Sequence, residues 1–288
     1  MMRVLIIGKN SYIGNHIDKW LSDRGYEVKQ LDVLTEDWRT YDYSGYDSIV
    51  HVAGIVHRPN CKDWDLFRSV NAEMPVEIAK RAKAAGVKQY MFFSTMAVYG
   101  VGKSLSGSVI DESTPLHAGG MYGKSKLKGE EGLEKLADSR FNVAIVRPPS
   151  VYGKGCRGGY ISGFMSITKL LPVIPKAYGD ARQSFIYIDN LCECVYLIIK
   201  NNLSGVFCPQ DDEIPNANEL LRSISIGLGR HYRENRFLGM LMQMVNFIPL
   251  VNKAYGGIQY TRSLSEMRGL DYVVVPFKEG MKRTVSPQ

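Results

Sequence analysis

Arg3-Val-Leu-Ile-Ile7 running into Gly8-Lys-Asn-Ser-Tyr-Ile-Gly14 is the stretch on which the reading of the fold turns. The apolar run Val4 to Ile7 is too short for a helix and, closed by Gly8, fits a buried parallel strand. Beyond Gly14, Ile17, Trp20 and Leu21 recur at helical spacing within residues 15–24. The turn therefore joins a strand to a helix N-terminus, an order that aims backbone N–H groups and the positive end of the helix dipole at a pyrophosphate. Gly8, Asn10, Ser11, Tyr12, Ile13 and Gly14 are the expected wall of a dinucleotide site.

Working outward, a second strand, Glu27 to Leu31, ends at Asp32, 18 residues past Gly14. An acid there accepts both ribose hydroxyls and repels a 2′-phosphate, which favours NAD(H). Lys9 and Arg39 could still accommodate that phosphate, so NADP(H) stays open. Asp42 is a further candidate near the adenine, or an ordinary loop acid. The third strand, Asp47 to Gly54, closes on Ala53 and Gly54, small enough for a cofactor to approach the backbone, so Val52, Ala53 and Gly54 join the cofactor set. His51 and His57 have no metal partners at useful spacing and read as structural or rim residues. Residues 61–70 read as a loose, mobile connection, followed by a helix from Val70 to Ala85 that Gly86 closes. Asn71 is either its local cap or a core polar group bridging to the active strand.

A fourth strand, Gln89 to Phe93, delivers Ser94 and Thr95. Further on, Tyr122-Gly-Lys-Ser-Lys126 puts a phenol and an ammonium one helical turn apart on one face. A phenol near pKa 10 is a poor base at neutral pH; a neighbouring ammonium and the positive charge of an oxidised nicotinamide would stabilise its anion. It could then take a proton from a sugar hydroxyl while hydride leaves the same carbon. With 17 tyrosines in the chain the spacing alone is uninformative, and its weight comes from its surroundings. Residues 101–121, rich in Gly, Ser and Lys, read as a lid-like loop between the two elements.

Taken together, the glycine turn, Ser94-Thr95, Val98-Tyr-Gly100, Tyr122-x-x-x-Lys126 and Arg147-Pro-Pro-Ser-Val-Tyr-Gly153-Lys-Gly155 resemble the NAD-dependent sugar epimerase/dehydratase family, the extended short-chain dehydrogenases. Ser11 stands where that family's turn has its middle glycine. The resemblance implies an α/β fold, a Rossmann-type doubly wound parallel sheet with a small C-terminal substrate-binding subdomain. Residues 1–150 and 184–208 would form the NAD-binding domain, and 151–183 with 209–288 the substrate-binding part. Alternation of strands and helices independently implies right-handed crossovers and a parallel sheet. Thr95, Tyr122 and Lys126 would be catalytic, Pro148 would line the cofactor, and Thr95, Met96, Ser150 and Arg182 would contact substrate. Ser150 is shorter than the Asn that UDP-galactose 4-epimerases often carry there. Arg182 stands one residue from the family's usual phosphate-binding place, which Gln183 occupies. Its segment, 182–191, would then return to the sheet.

The activity implied is a UDP-hexose 4-epimerase working on a nucleotide sugar. The alternative is an NAD(P)H-dependent 4-keto reductase in surface polysaccharide synthesis, favoured by Ser150 and the short C-terminal part. A dehydratase would carry an acid pair where Met96 and Ala97 stand. A non-catalytic cofactor-sensing protein on the same fold would be expected to lose the Tyr or the Lys. The resemblance also implies a homodimer through the catalytic helix and its neighbour.

Composition narrows the remaining classes. The 288 residues suffice for a large core. The net charge of +7 is spread along the chain without a basic block, so a small anionic ligand is expected and nucleic acid is not. The five cysteines, 61, 156, 192, 194 and 208, are scattered and read as buried thiols, with no metal site. No run reaches the roughly 18 apolar residues of a membrane span, and the N-terminus enters a strand at once without a signal-peptide layout, so the cytoplasm is the expected compartment. The apolar run Phe237 to Val251, with Met240, Met242 and Met244, could face a membrane but is expected to be subdomain core or a subunit contact.

Overall fold

Six strands form one parallel sheet: β1 (Arg3–Ile7), β2 (Glu27–Leu31), β3 (Ser48–His51), β4 (Gln89–Phe93), β6 (Asn142–Val146) and β10 (Gly205–Phe207), in the order β10-β6-β4-β3-β1-β2. The computed structural model describes residues 1–56, 63–156, 160–170, 173–176, 181–231, 233–244 and 254–286. From β1 the chain steps outward to β2, then crosses back to β3 and continues the other way. The strand order therefore reverses between β1 and β3, the place where such sheets bind ligands at their carboxyl ends.

Residue alternation explains why both faces are covered. Val4 and Ile6 of β1 point into a core shared with α1 (Tyr12–Ser22) and α6 (Ile188–Lys200), while Leu5 and Ile7 point into a second core with α3 (Met74–Ala84). All four are fully buried. At about 1.5–3 kcal/mol per large aliphatic side chain, a strand apolar on both faces is stable only between two helical layers.

The connection after β3 departs from the expected loose segment. Helix α2 (Trp64–Arg68), a wide π turn (Ser69–Glu73) and α3 follow one another without a break. Pro75 has no N–H to offer the Asn71 carbonyl four residues back, so the ladder cannot close there in α-helical form. His57 and Cys61 lie outside the described residues.

Two further expectations are revised. The 101–121 segment is not all loop: β5 (Ser108–Ile110) pairs in parallel with β12 (Ile258–Tyr260), tying it to the C-terminal part. The segment after Arg182 does not rejoin the main sheet; its strand β9 (Phe185–Tyr187) pairs with β7 (Ser150–Tyr152) in a separate ribbon. A third ribbon joins β8 (Val173–Pro175) to β11 (Arg233–Asn235). Helix α7 (Ala217–Gly227), opened by a capping box between Asn216 and Glu219, packs on the helix Phe277–Val285.

The apolar run from Phe237 forms α8 (Arg236–Met244), and it is not subdomain core: Phe237, Leu238, Met240, Leu241 and Met244 are exposed. Residues 245–251 of that run lie outside the described residues.

Helix α4 (Met121–Glu134) crosses the π turn so closely that a Cβ on Gly129 would stand 2.6 Å from the Asn71 carbonyl oxygen. Gly129→Ala should therefore destabilise the protein by about 1–3 kcal/mol despite alanine's better helix propensity, as a lowered midpoint in a denaturant titration. An unchanged or raised midpoint would show that the two elements can separate freely.

Candidate active site

The turn after β1 is built to receive a diphosphate. Gly8 has φ +121°, and a Cβ there would lie 2.9 Å from the Ala53 backbone nitrogen at the end of β3. Ser11 is the N-cap of α1: its hydroxyl accepts from the Gly14 N–H at 3.1 Å and donates to the Gly8 carbonyl at 2.8 Å. The serine in place of a middle glycine is thus folded into its own turn. The first-turn N–H groups of Tyr12 and Ile13 have no carbonyl of their own helix to bond and mark the anion-binding end of α1. Asn10 takes φ +61°, which completes the turn. These residues fit a dinucleotide.

Asp32 follows β2, half-buried, and accepts the Leu34 N–H at 2.9 Å. That bond, with the Thr35 hydroxyl, holds its carboxyl below the usual range, so it is ionised at neutral pH. Asp42 caps the Ser44 N–H in a local turn. His51 is buried, its Nδ1 2.6 Å from the Tyr90 hydroxyl, and burial drives its pKa well down; it is a neutral core residue.

At the end of β4 the structure brings the Thr95 hydroxyl beside the Tyr122 phenol, where it favours the phenolate, although burial prevails and raises the Tyr122 pKa. One turn along α4, the Lys126 ammonium donates to the Phe93 carbonyl at 2.8 Å. A Cβ on Gly54 would stand 2.9 Å from Asn71 Oδ1 and 3.0 Å from this ammonium, so a side chain at that end of β3 would displace one or both. Burial pulls Lys126 down to about 7, opposed by the negative charge of Glu130. Without a ligand, then, the ammonium is only marginally charged at neutral pH.

Glu130 was not singled out from the sequence. It is 1% exposed and receives Arg147 twice, Nη2 at 2.5 Å and Nε at 3.1 Å, together with the Ser94 hydroxyl. Arg147 Nη1 also donates to the Tyr99 hydroxyl at 3.0 Å. The available signal was position: Tyr122, Lys126 and Glu130 are four apart and share one face of α4. Asn71 resolves as the bridging group: its side chain accepts from Ile55 N and donates to Ile55 O and to the Ser125 hydroxyl, fastening the segment after β3 to α4.

The remaining candidates are more dispersed. Pro148 is buried and its carbonyl accepts the Met96 N–H; the Met96 side chain packs with Val98, Tyr99 and Ile110. Ser150 opens β7, half-buried. Arg182 points to α7, donating to the Ile214 carbonyl at 2.8 Å and to Glu219 at 3.3 Å. Gln183 is buried with its amide oxygen unpartnered. Among the described residues no cluster suits a metal ion, and Cys192, Cys194 and Cys208 are buried.

A doubly wound parallel sheet with a diphosphate turn after β1, and a hydroxyl, a phenol and an ammonium gathered at the end of β4, defines a Rossmann-type dinucleotide enzyme. The chain matches the NAD dependent epimerase/dehydratase family over residues 4–207. It is 30% identical over 250 residues to a UDP-glucose 4-epimerase of Vibrio cholerae, covering 79% of this chain and 76% of that one. It is 27% identical over 248 residues to the N-acetyl-alpha-D-glucosaminyl-diphospho-ditrans,octacis-undecaprenol 4-epimerase of Escherichia coli O157:H7, covering 79% and 72%. The crystal structure of a UDP-glucuronic acid 4-epimerase from Bacillus cereus in complex with NAD superposes with TM-score 0.75 at 17% identity, over 99% of this chain and 97% of that one. The chain belongs to the NAD-dependent epimerase/dehydratase family and is an enzyme of the NAD-dependent epimerase or reductase type.

Two measurements probe this geometry. Between about 7 and the ordinary lysine value of 10.5, the unfolded chain holds a proton on Lys126 that the folded chain lacks, so folding stability rises with pH across that window. The folded state carries the full burial cost below it. Lys126→Met should therefore gain more stability over the ligand-free parent at pH 6 than at pH 10, in paired denaturant titrations. Glu130→Ala leaves the Arg147 charge buried without its carboxylate and should cost about 3–5 kcal/mol in the same assay, a loss that Glu130→Gln only partly restores.

Proposed function

We propose that the protein is an NAD-dependent epimerase of a nucleoside-diphosphate sugar, and specifically a UDP-hexose 4-epimerase. The observation that carries the reading is the placement of the Thr95 hydroxyl beside the Tyr122 phenol, one helical turn from the buried Lys126. A sugar hydroxyl seated against both oxygens can pass its proton to Tyr122, while Thr95 holds the reacting oxygen in place. Bound NAD supplies the hydride acceptor and donor. Lys126, protonated with support from Glu130, would stabilise the phenolate and hold the nicotinamide ribose. The proton returns from Tyr122 after the keto sugar has presented its other face. The Vibrio cholerae relative supports the UDP-hexose assignment.

The ionised Asp32 supports NAD over NADP, since a 2′-phosphate would meet its charge. Gly8, Asn10 to Gly14, Val52 to Gly54 and Pro148 would line the cofactor. Met96, Ser150 and Arg182 would contact substrate. For Arg182 to take a substrate phosphate it has to exchange its half-exposed partner Glu219 and its bond to the Ile214 carbonyl. A hexosyl diphosphate is the part of the substrate that the two relatives' names share, so the uridine is the more specific element of the proposal.

Ser150, which gives less reach toward the sugar than Asn, favours a second reading: a reductase that uses the same three residues in one direction on a 4-keto sugar nucleotide. The presence of both Tyr122 and Lys126 argues against a non-catalytic sensor.

Purified protein should carry NAD by mass measurement and interconvert UDP-glucose and UDP-galactose without added cofactor. Stoichiometric consumption of NADH or NADPH with a keto sugar, and no interconversion, would instead establish the reductase. In either case Tyr122→Phe should lower turnover by roughly 10²- to 10⁴-fold with NAD binding retained. Unchanged turnover would remove Tyr122 from the chemistry.

A further inference from the structure

Helix α8 is amphipathic in the wrong sense for a water-facing helix. At 100° per residue, Phe237, Leu238, Met240, Leu241 and Met244 fall within an arc of about 160°, and all five are exposed, Phe237 at 63% and Met244 at 72%. Gly239, buried, lies on the opposite side of the helix. The element thus packs through its small residue and presents its largest apolar side chains to solvent. A contiguous apolar surface of this kind marks a contact with something else.

The charges around α8 indicate what that is. Arg230, Arg233 and Arg236 are exposed at and just before its N-terminus, and the Lys176 N–H bonds the Asn235 carbonyl beside them. The helix itself carries no acid. Even with Glu234 among them, paired with Arg222, cations are in excess at this end and oppose the helix dipole, and an anionic surface laid against it would meet both. An apolar stripe beside a collar of arginines is the pattern of a helix lying in the plane of an anionic lipid surface, aliphatic and aromatic side chains among the acyl chains and guanidinium groups at the phosphates. A second copy of the chain fits less well, because α8 brings no carboxylate to meet its partner's arginines.

We propose that α8 is a peripheral membrane contact that seats the substrate-binding part of the enzyme on anionic phospholipid. This is attachment to one leaflet: among the described residues no helix is long and apolar enough to cross a membrane. The proposal stands apart from the identity of the sugar.

Co-sedimentation of the full chain with phosphatidylglycerol vesicles and with neutral phosphatidylcholine vesicles tests it, with gel filtration run alongside. The parent should partition onto the anionic vesicles and be released by high salt. The triple variant Phe237→Ser/Leu241→Ser/Met244→Ser should lose roughly tenfold or more of that partition at unchanged thermal midpoint, and Arg233→Gln/Arg236→Gln should lose a comparable part. Equal partition of parent and triple variant would overturn the proposal, as would no binding to anionic vesicles. A fall in the triple variant's mass on gel filtration, with lipid binding unaltered, would also overturn it and assign the face to a subunit contact.

Discussion

The buried ion pair between Glu130 and Arg147 is the constraint on which the geometry of the candidate site depends. It locks the middle of α4 to the carboxyl end of β6, two elements that otherwise meet only through side-chain packing. Because Glu130 also accepts the Ser94 hydroxyl, and Arg147 donates to the Tyr99 hydroxyl, the same pair fixes the backbone on either side of Thr95. A helix free to slide by even part of a turn would part the Tyr122 and Thr95 oxygens. Desolvating two charges is expensive, and here the cost is offset by bidentate contact and by further hydrogen bonds that use the remaining donor and acceptor positions.

The pair also sets the electrostatics. Lys126 is enclosed between the ends of β3 and β4, where burial alone favours its neutral form, and the carboxylate one turn away counteracts that. Tyr122 is held neutral by the same exclusion of water. A neutral phenol and a marginally charged amine make a resting state in which no proton is removed. Occupation of the crevice changes the balance, because any positive charge brought beside Tyr122 acts across a low-dielectric gap and favours the phenolate strongly.

Most of the N-terminal half was legible in the sequence because its signals are local. The apolar run Val4 to Ile7, the turn at Gly8 and the helix behind it declare themselves within some twenty residues, and β2 and β4 occupy the expected spans. Where local rules competed, reading was harder. The stretch before Asn71 carries no strong apolar period and looked like connection, yet Pro75 and the packing of α4 make it a helix with a π turn. Glu130 drew no notice, since nothing nearby in sequence discloses that Arg147 will arrive opposite it from a different strand.

The C-terminal part was least legible for a related reason: its elements are short and each is defined by a distant partner. β5 exists because β12 comes beside it, nearly 150 residues later, and β8 because of β11. Three-residue strands have no period to read. The apolar run at α8 misled differently. Hydrophobicity says that a surface avoids water, not which phase replaces it, and a core helix and an interfacial helix share the same pattern of residues. What separates them is the direction of the apolar face. That direction is set by the packing of Gly239 and of the β8 and β11 ribbon beneath it, which turns Phe237, Leu241 and Met244 outward with the arginines beside them.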